Sequence, residues 1–327
     1  MRYGVGVAVS GFLLCLAAQP VWAVASVEPV TESPGYISRS VNYLLTQHRN
    51  ISSEVSLMAR QIDAYLAGDQ ALAEDNESYI RVRVAEQSIE GGKWNPENDF
   101  KFRLDLPATK RRYRLLLAYR PDENKSLADR TQPSVAAQPD RGDKSLIAGA
   151  VHSVKNEAKH WEARALAGIK VRWPLDPFVR VDGKREIQLD ADWQLRIRAG
   201  AGWFLSSGYG ADNSWDFDRI LAPKLLFRAG TAFQWLQTND TLEFAEVWDV
   251  FHTLDDRHLL DYQIGALGTS GYHPHMDKYY ASIIYRQDLY RKFLFLNVIP
   301  EVAYPREKDF AATVSFTVGI EIFFNQF

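Results

Sequence analysis

The chain has 327 residues, a net charge of -3 and a hydrophobic residue content of 46%. This length allows one large domain or two ordinary ones, and the near-neutral charge argues against a general nucleic-acid-binding protein. The single cysteine, Cys15, lies in a segment that we expect to be removed, so the mature chain is predicted to have no disulfide and no thiol chemistry.

The N-terminus has the three parts of an export signal. Arg2 provides a positive start, residues 5 to 18 form an apolar run, and Ala23-Val24-Ala25 has the small residues at which signal peptidase cuts. We therefore predict a signal peptide over residues 1–25. No later apolar run reaches the roughly 18 residues of a transmembrane helix, so the exported chain is either free or a β-barrel.

Residues 26–76 are predicted to form a periplasmic helical segment. Its apolar positions are spaced alternately four and three residues apart, which is typical of a coiled-coil seam, and Gly68 stands where a C-terminal cap is expected. The helix would either lie on its own barrel or serve in self-association or in docking to a periplasmic protein. Its docking face would consist of Ile37, Val41, Leu44, Ile51, Val55, Met58 and Ile62.

From Tyr79 onward the apolar period changes to two, which is the period of β-strands. We predict an all-β domain over residues 77–327, an antiparallel transmembrane β-barrel of about twelve strands, with a long external loop at residues 121–160. The predicted strands are 79–85, 100–106, 112–120, 161–173, 178–182, 193–205, 224–236, 242–252, 260–268, 279–286, 293–304 and 312–324. The count is open by two, because residues 178–182 are short for a strand and residues 206–219 have room for another crossing.

Three of these strands alternate most clearly. The apolar faces of residues 161–173 and 193–205 each carry tryptophan near both ends, as expected of a lipid-facing band with aromatic girdles. The last strand alternates up to Phe324, which puts the terminal Phe327 out of phase with its apolar face. A bulge near Asn325 would restore the phase, or Phe324 acts as the functional end.

With these features the chain resembles the outer-membrane β-barrel proteins of Gram-negative bacteria over roughly residues 77–327. The resemblance implies a cell outer-membrane location, contact with membrane lipid and lipopolysaccharide, and assembly by the barrel assembly machinery through the C-terminal strand. It is architectural and implies no particular activity.

The predicted polar strand faces carry charges of opposite sign on the two halves of the barrel. If water fills the lumen, these walls favour passage of small anionic solutes, which makes the protein a passive, porin-like channel. If the side chains meet, ion pairs close the lumen and the barrel is a structural or adaptor protein. The basic wall would comprise Arg81, Arg83, Lys101, Arg103, Arg112, Arg114, Arg164, Lys170, Arg172, Arg196, Arg198 and Arg228, and the acidic wall Glu243, Asp249, Asp261, Glu301 and Glu321.

A third hypothesis is an outer-membrane lipid-modifying enzyme, which needs a nucleophile and a base on one wall. The run Asp256-Arg257-His258 is the nearest local match, but it is predicted to form a polar periplasmic turn. His273 and His275 with Asp277 are a weak metal-binding pattern. We expect no catalytic residues, no metal and no cofactor. Glu246 is unusual, since the phase of its strand turns it toward lipid.

Overall fold

The computed structural model describes residues 79–107, 113–119, 126–131, 146–156, 160–271, 273–290 and 292–325. The predicted signal peptide, the predicted helical segment with its docking face, and Phe327 lie outside these residues. Among the described helices, none is long and apolar enough to cross a membrane.

The described residues form one closed antiparallel sheet. Each strand pairs with its neighbours in sequence, and β1 pairs with β14, from Tyr79 opposite Asn325 to Ile89 opposite Ser315. Closure leaves no unpaired sheet edge, which is the condition for crossing a bilayer with strands. The strands are β1 Tyr79–Ile89, β2 Trp94–Pro107, β3 Tyr113–Tyr119, β4 Leu146–Asn156, β5 Trp161–Val171, β6 Asp176–Gln188, β7 Trp193–Phe204, β8 Gly208–Ala222, β9 Leu225–Leu236, β10 Thr241–Asp255, β11 His258–Thr269, β12 His275–Tyr290, β13 Leu294–Pro305 and β14 Thr313–Asn325.

The barrel has 14 strands, so the predicted number of about twelve is wrong. One added strand, β4, lies within residues 121–160, which were predicted to be a loop. Its inward residues Ile147 and Val151 are apolar and buried, so the strand lacks the contrast between faces on which the prediction depended. The other, β8, carries glycine and aspartate on its inward face, a composition that resembles a turn.

The described residues include two short helices between strands. Helix α1, Leu127–Thr131, belongs to the connection between β3 and β4, and a 3-10 helix, Arg306–Lys308, lies between β13 and β14. We call the end of the barrel that holds Tyr79 and Asn325 the terminal end. The other end, which holds the turn after β1 and the connection that contains α1, is the loop end.

The outer face of the barrel is apolar. Outward side chains such as Val84, Val181 and Val314 are 56%, 58% and 57% exposed, far more than apolar core residues of a water-soluble protein. Aromatic side chains lie near both rims, among them Trp94 at the loop end and Trp193 at the terminal end. An apolar belt with aromatic rims is the surface expected of a barrel surrounded by lipid.

The last strand has the faces predicted from its alternation. Val314, Phe316 and Phe324 point outward and are exposed, whereas Phe323 points inward and is buried. The outer-face prediction for Glu246 is also correct. Its carboxylate accepts hydrogen bonds from Thr231 Oγ1 at 2.5 Å and from Trp248 Nε1 at 2.7 Å.

Candidate functional site

The candidate site is the inner face of the barrel, the lumen wall. In the half near the loop end, inward residues of β3–β7 form an apolar cluster whose members are buried. The rings of Phe178 and Phe204 stack at 5.1 Å between centroids, and Lys170 Nζ lies 5.0 Å from the Phe204 ring centroid. The lumen wall therefore carries an apolar patch as well as charges. The cluster consists of Leu116, Ala118, Ile147, Val151, Leu166, Phe178 and Phe204.

Ion pairs bridge strands on the wall formed by β5–β8. Arg180 donates to Asp182 Oδ1 and to Asp212 Oδ1, each at 2.6 Å, and so reaches from β6 across β7 to β8. It passes over Gly200, where an added Cβ would lie 2.1 Å from Arg180 Nη2. Arg164 contributes a further bond to Asp182 at 3.2 Å. A glycine on β7 thus makes room for a charged contact between strands that are not neighbours.

The network continues toward the terminal end through β8. Asp218 is fully buried and binds Arg228 Nε at 2.6 Å and Arg196 Nη2 at 3.3 Å. Arg198 binds Asp216 at 2.9 Å. Sequence reasoning missed these aspartates because it missed β8. Asp212, Asp216 and Asp218 are two or four residues apart, so they lie on one face of the strand, opposite inward residues of β7. This even spacing of aspartates is the sequence signal that could have revealed them.

A second group of cations lies on β1 and β2. Strand register places Arg81 opposite Lys101, Tyr79 opposite Arg103 and Arg83 opposite Asp99, so all four cations face inward on two adjacent strands. We call Arg81, Arg83, Lys101 and Arg103 the cationic strip.

The members of the cationic strip differ in their bonding. Arg81 binds Asp99 at 3.0 Å and lies 3.5 Å from Glu321 Oε1. The Arg83 nitrogens Nε and Nη2 are buried and have no hydrogen-bond partner. Two donor nitrogens of this guanidinium therefore lack an acceptor.

Acidic residues dominate the wall formed by β10–β13. Glu243 is half-buried, and Asp249, Asp261 and Glu301 are buried. Glu301 lies 3.9 Å from Lys278 Nζ, and Asp249 accepts a hydrogen bond from Gln263 Nε2 at 2.7 Å. In the strand order this wall is diametrically opposite β3–β6, and β14 separates it from β1.

Helix α1 lies inside the lumen against the acidic wall. Leu127 is only 3% exposed and packs with Ala245, Leu267, Tyr280 and Ala303. Its backbone N donates to Glu243 Oε2 at 2.5 Å, and Tyr280 Oη donates to the carbonyl of Thr131 at 3.1 Å. The described part of the connection between β3 and β4, residues 126–131, therefore lies inside the barrel and narrows the half of the lumen near the loop end.

The charged residues predicted from the sequence can now be placed. The basic-wall residues whose side chains are described lie at inward strand positions, with one exception. Arg172 follows β5 and binds Asp176 at 2.9 Å. Arg112 lies outside the described residues, and of Arg114 only the backbone is described. The five acidic residues all lie at inward positions, and Glu321 binds Arg286 at 2.8 Å. Whether these charges act on a solute stays a prediction.

The two candidate chemical groups lie at opposite ends of the barrel. His258 Nδ1 is 2.7 Å from Asp255 Oδ1 in the turn between β10 and β11 at the terminal end. His275 Nε2 is 3.1 Å from Asp277 Oδ1 at the loop end. The strands between them separate these histidines, so they do not form one site. Within the described ranges, no three His, Cys, Asp or Glu side chains are arranged to hold a metal ion.

The closed sheet, the apolar outer belt and the charged lumen wall together determine the architecture. It is that of an outer-membrane β-barrel. In sequence, no protein-family model and no curated protein matches the chain.

Solved structures with a similar fold include outer-membrane proteins and a porin. OmpT of Vibrio cholerae is 7% identical, with a TM-score of 0.45, over 77% of this chain and 98% of that one. The channel DcaP of Acinetobacter baumannii is 9% identical, with a TM-score of 0.43, over 76% and 96%. A KdgM porin is 7% identical, with a TM-score of 0.34, over 74% and 98%.

Proposed function

We propose that this protein is a passive outer-membrane channel for small anionic solutes. The observation that carries the proposal is the arrangement of lumen charges, with the cationic strip on β1–β2 and the acidic residues on β10–β13, two separate walls of the lumen. Charges of opposite sign on separate walls of a lumen create a transverse field that orients a dipolar solute.

The size of the barrel is consistent with passage of a small solute. Barrels of about eight strands are filled by side chains, and those of 16–18 strands leave an open aqueous channel. A barrel of 14 strands is intermediate, and α1 occupies part of its width. Solutes would therefore pass between α1 and the cationic strip.

The preference for anions rests on Arg83. The bonds of Arg164, Arg180 and Arg198 to aspartates offset much of the positive charge on β5–β8. Arg83 instead has two buried nitrogens without a hydrogen-bond partner. A guanidinium binds carboxylate or phosphate oxygens through charge-assisted hydrogen bonds. Arg83 would thus provide a transient binding position for an anionic group.

Purified protein in a planar bilayer under a salt gradient tests this proposal. We expect discrete conductance steps and a reversal potential of the sign that indicates anion preference, and Arg83→Gln should reduce that potential. Arg219→Gln is the matched control, because Arg219 lies on the outer face with its Cζ 5.2 Å from the Trp193 ring centroid. An equal effect of the two substitutions would contradict a role for Arg83, and an electrically silent barrel would contradict the channel.

The N-terminal segment suggests a second role, carried by the spacing of its apolar residues. We propose that the terminal end faces the periplasm and that residues 26–76 dock there to a periplasmic protein or to a second copy. Deletion of residues 26–70 should leave conductance unchanged and abolish binding to a periplasmic partner in a pull-down. Loss of conductance in this variant would instead indicate that the segment belongs to the channel.

A further inference from the structure

The acidic wall holds two buried carboxylates, Asp249 and Asp261, on neighbouring strands. Asp249 and Asp261 are 6% and 2% exposed, and neither makes an ion pair in the described part of the chain. Arg228, which is opposite Asp249 in register, binds Asp218 instead, through both Nε and Nη2, at 2.6 and 3.1 Å. An ionised carboxylate buried without compensation is costly, so two in one place need a positive charge or a proton.

The neighbours of these carboxylates present further oxygens. Asp249 is opposite Gln263, and Gln263 is opposite Ser282, so the three side chains form one inward row across β10, β11 and β12. Asp261 precedes Gln263 by two residues on the same face, which makes it the diagonal neighbour of Asp249. All four residues therefore share one small patch of the wall, next to the position where Tyr280 supports α1.

Several of these oxygens are buried and unsatisfied. Asp261 Oδ1, Gln263 Oε1 and Ser282 Oγ have no hydrogen-bond partner. The side chains of Asp261, Gln263 and Ser282 are each at least nine-tenths buried, with exposures of 2%, 9% and 5%. Buried polar atoms are normally bonded, and an unsatisfied cluster in a folded protein indicates an absent partner. The unsatisfied atoms of these three side chains are all oxygens, and Asp249 and Asp261 are the acidic groups among the four residues.

We propose that Asp249, Asp261, Gln263 and Ser282 bind a hard divalent cation of the calcium type in the lumen wall. Ca²⁺ prefers oxygen ligands from carboxylates, amide carbonyls and water, at about 2.3–2.6 Å, in flexible geometry. Two carboxylates, one amide oxygen and one hydroxyl supply part of such a shell, and water supplies the rest. Because only two carboxylates take part, the site differs from a cluster of three or more charged ligands.

Such a cation would join β10, β11 and β12 next to the part of the wall that contacts α1. Ser282 is two residues from Tyr280, whose hydroxyl donates to the carbonyl of Thr131 in α1. The ion would neutralise the paired carboxylates and hold the inward row together, which stabilises the part of the wall against which α1 packs. This proposal concerns the wall alone, so it holds or fails whether or not the barrel conducts.

Calorimetric titration of CaCl₂ into the barrel tests it, with protein treated with EDTA and refolded in detergent free of lipopolysaccharide. We expect one saturable site, and a thermal unfolding temperature that rises with added Ca²⁺. Asp261→Asn should abolish both effects, and Ser282→Ala should weaken binding. The matched control is Asp212→Asn, since Asp212 is a lumen carboxylate bonded to Arg180, and it should retain calcium binding.

Two results would overturn the proposal. One is the absence of a saturable calcium site in the wild-type protein. The other is unchanged binding in folded Asp261→Asn, because the ion would then bind elsewhere. The alternative is that a proton neutralises the two carboxylates, and infrared spectroscopy of aspartate-labelled protein detects it. A carboxylic acid signal that persists in calcium and disappears in Asp261→Asn would show that this alternative is correct.

Discussion

Substitution of Leu127 by alanine should release α1 from the lumen wall. Leu127 is 3% exposed within its apolar cluster, and truncation of a buried leucine costs about 2–5 kcal/mol. A helix of five residues is far too short to be stable by itself, so α1 depends on its contacts with the wall. Its conformation is therefore expected to respond to the loss of a single side chain.

The magnitude follows from the contacts that remain. The hydrogen bonds from Leu127 N to Glu243, from Arg130 to Gln234 and from Tyr280 to Thr131 each contribute about 1 kcal/mol net. A loss of about 2–3 kcal/mol of packing free energy is therefore comparable to the combined contribution of these three hydrogen bonds. Since 1.4 kcal/mol corresponds to a factor of ten, the ratio of released to docked α1 should rise roughly 30- to 150-fold.

Two measurements check this expectation. Amide hydrogen exchange of residues 127–131 should become faster, and single-channel recordings should show larger or noisier conductance. Leu115→Ala is the control, since it removes the same atoms from a side chain that is 54% exposed on the outer face. Unchanged exchange and unchanged conductance in Leu127→Ala would refute the inference that packing of Leu127 holds α1 in the lumen.

Two further outcomes are expected. Glu246→Gln removes a charge from the lipid-facing belt and keeps an acceptor for Trp248 Nε1. It should therefore raise the free energy of unfolding by about 1 kcal/mol, measured by urea unfolding in neutral lipid vesicles. Destabilisation would show that another group compensates the carboxylate. Lys308 lies 2.8 Å from Glu90 and lowers the pKa of that carboxyl. A lowered pKa favours the bonded turn above the ordinary glutamate pKa of about 4.3, and this contribution disappears as pH falls through the lowered value. Amides near Glu90 should therefore lose exchange protection in acid, and Lys308→Met should remove that pH dependence; an identical profile in the variant would contradict the role of the ion pair.

The lipid-facing side of the barrel could be predicted well from the sequence. Outward residues such as Ile80, Val84 and Phe316 alternate with polar neighbours, and because the period of a strand is two, this pattern reports the environment of each face directly. The two missed strands mark the limit of that signal. Ile147 and Val151 on β4 are buried inside the lumen, so residues 146–151 are apolar on both faces and the alternation disappears there.

The lumen contacts could not be predicted in the same way. Arg180 pairs with Asp212, 32 residues away, by reaching over Gly200 on the intervening strand. Helix α1 bonds to Glu243, 116 residues away, because closure of the sheet brings β10 next to it. Local periodicity carries no information about which strand faces which across a barrel. The sequence by itself determined which face of most strands meets lipid, since that depends on each residue's own polarity. Only the tertiary structure decided which lumen charges are paired and where α1 lies, since those depend on strand number, register and closure.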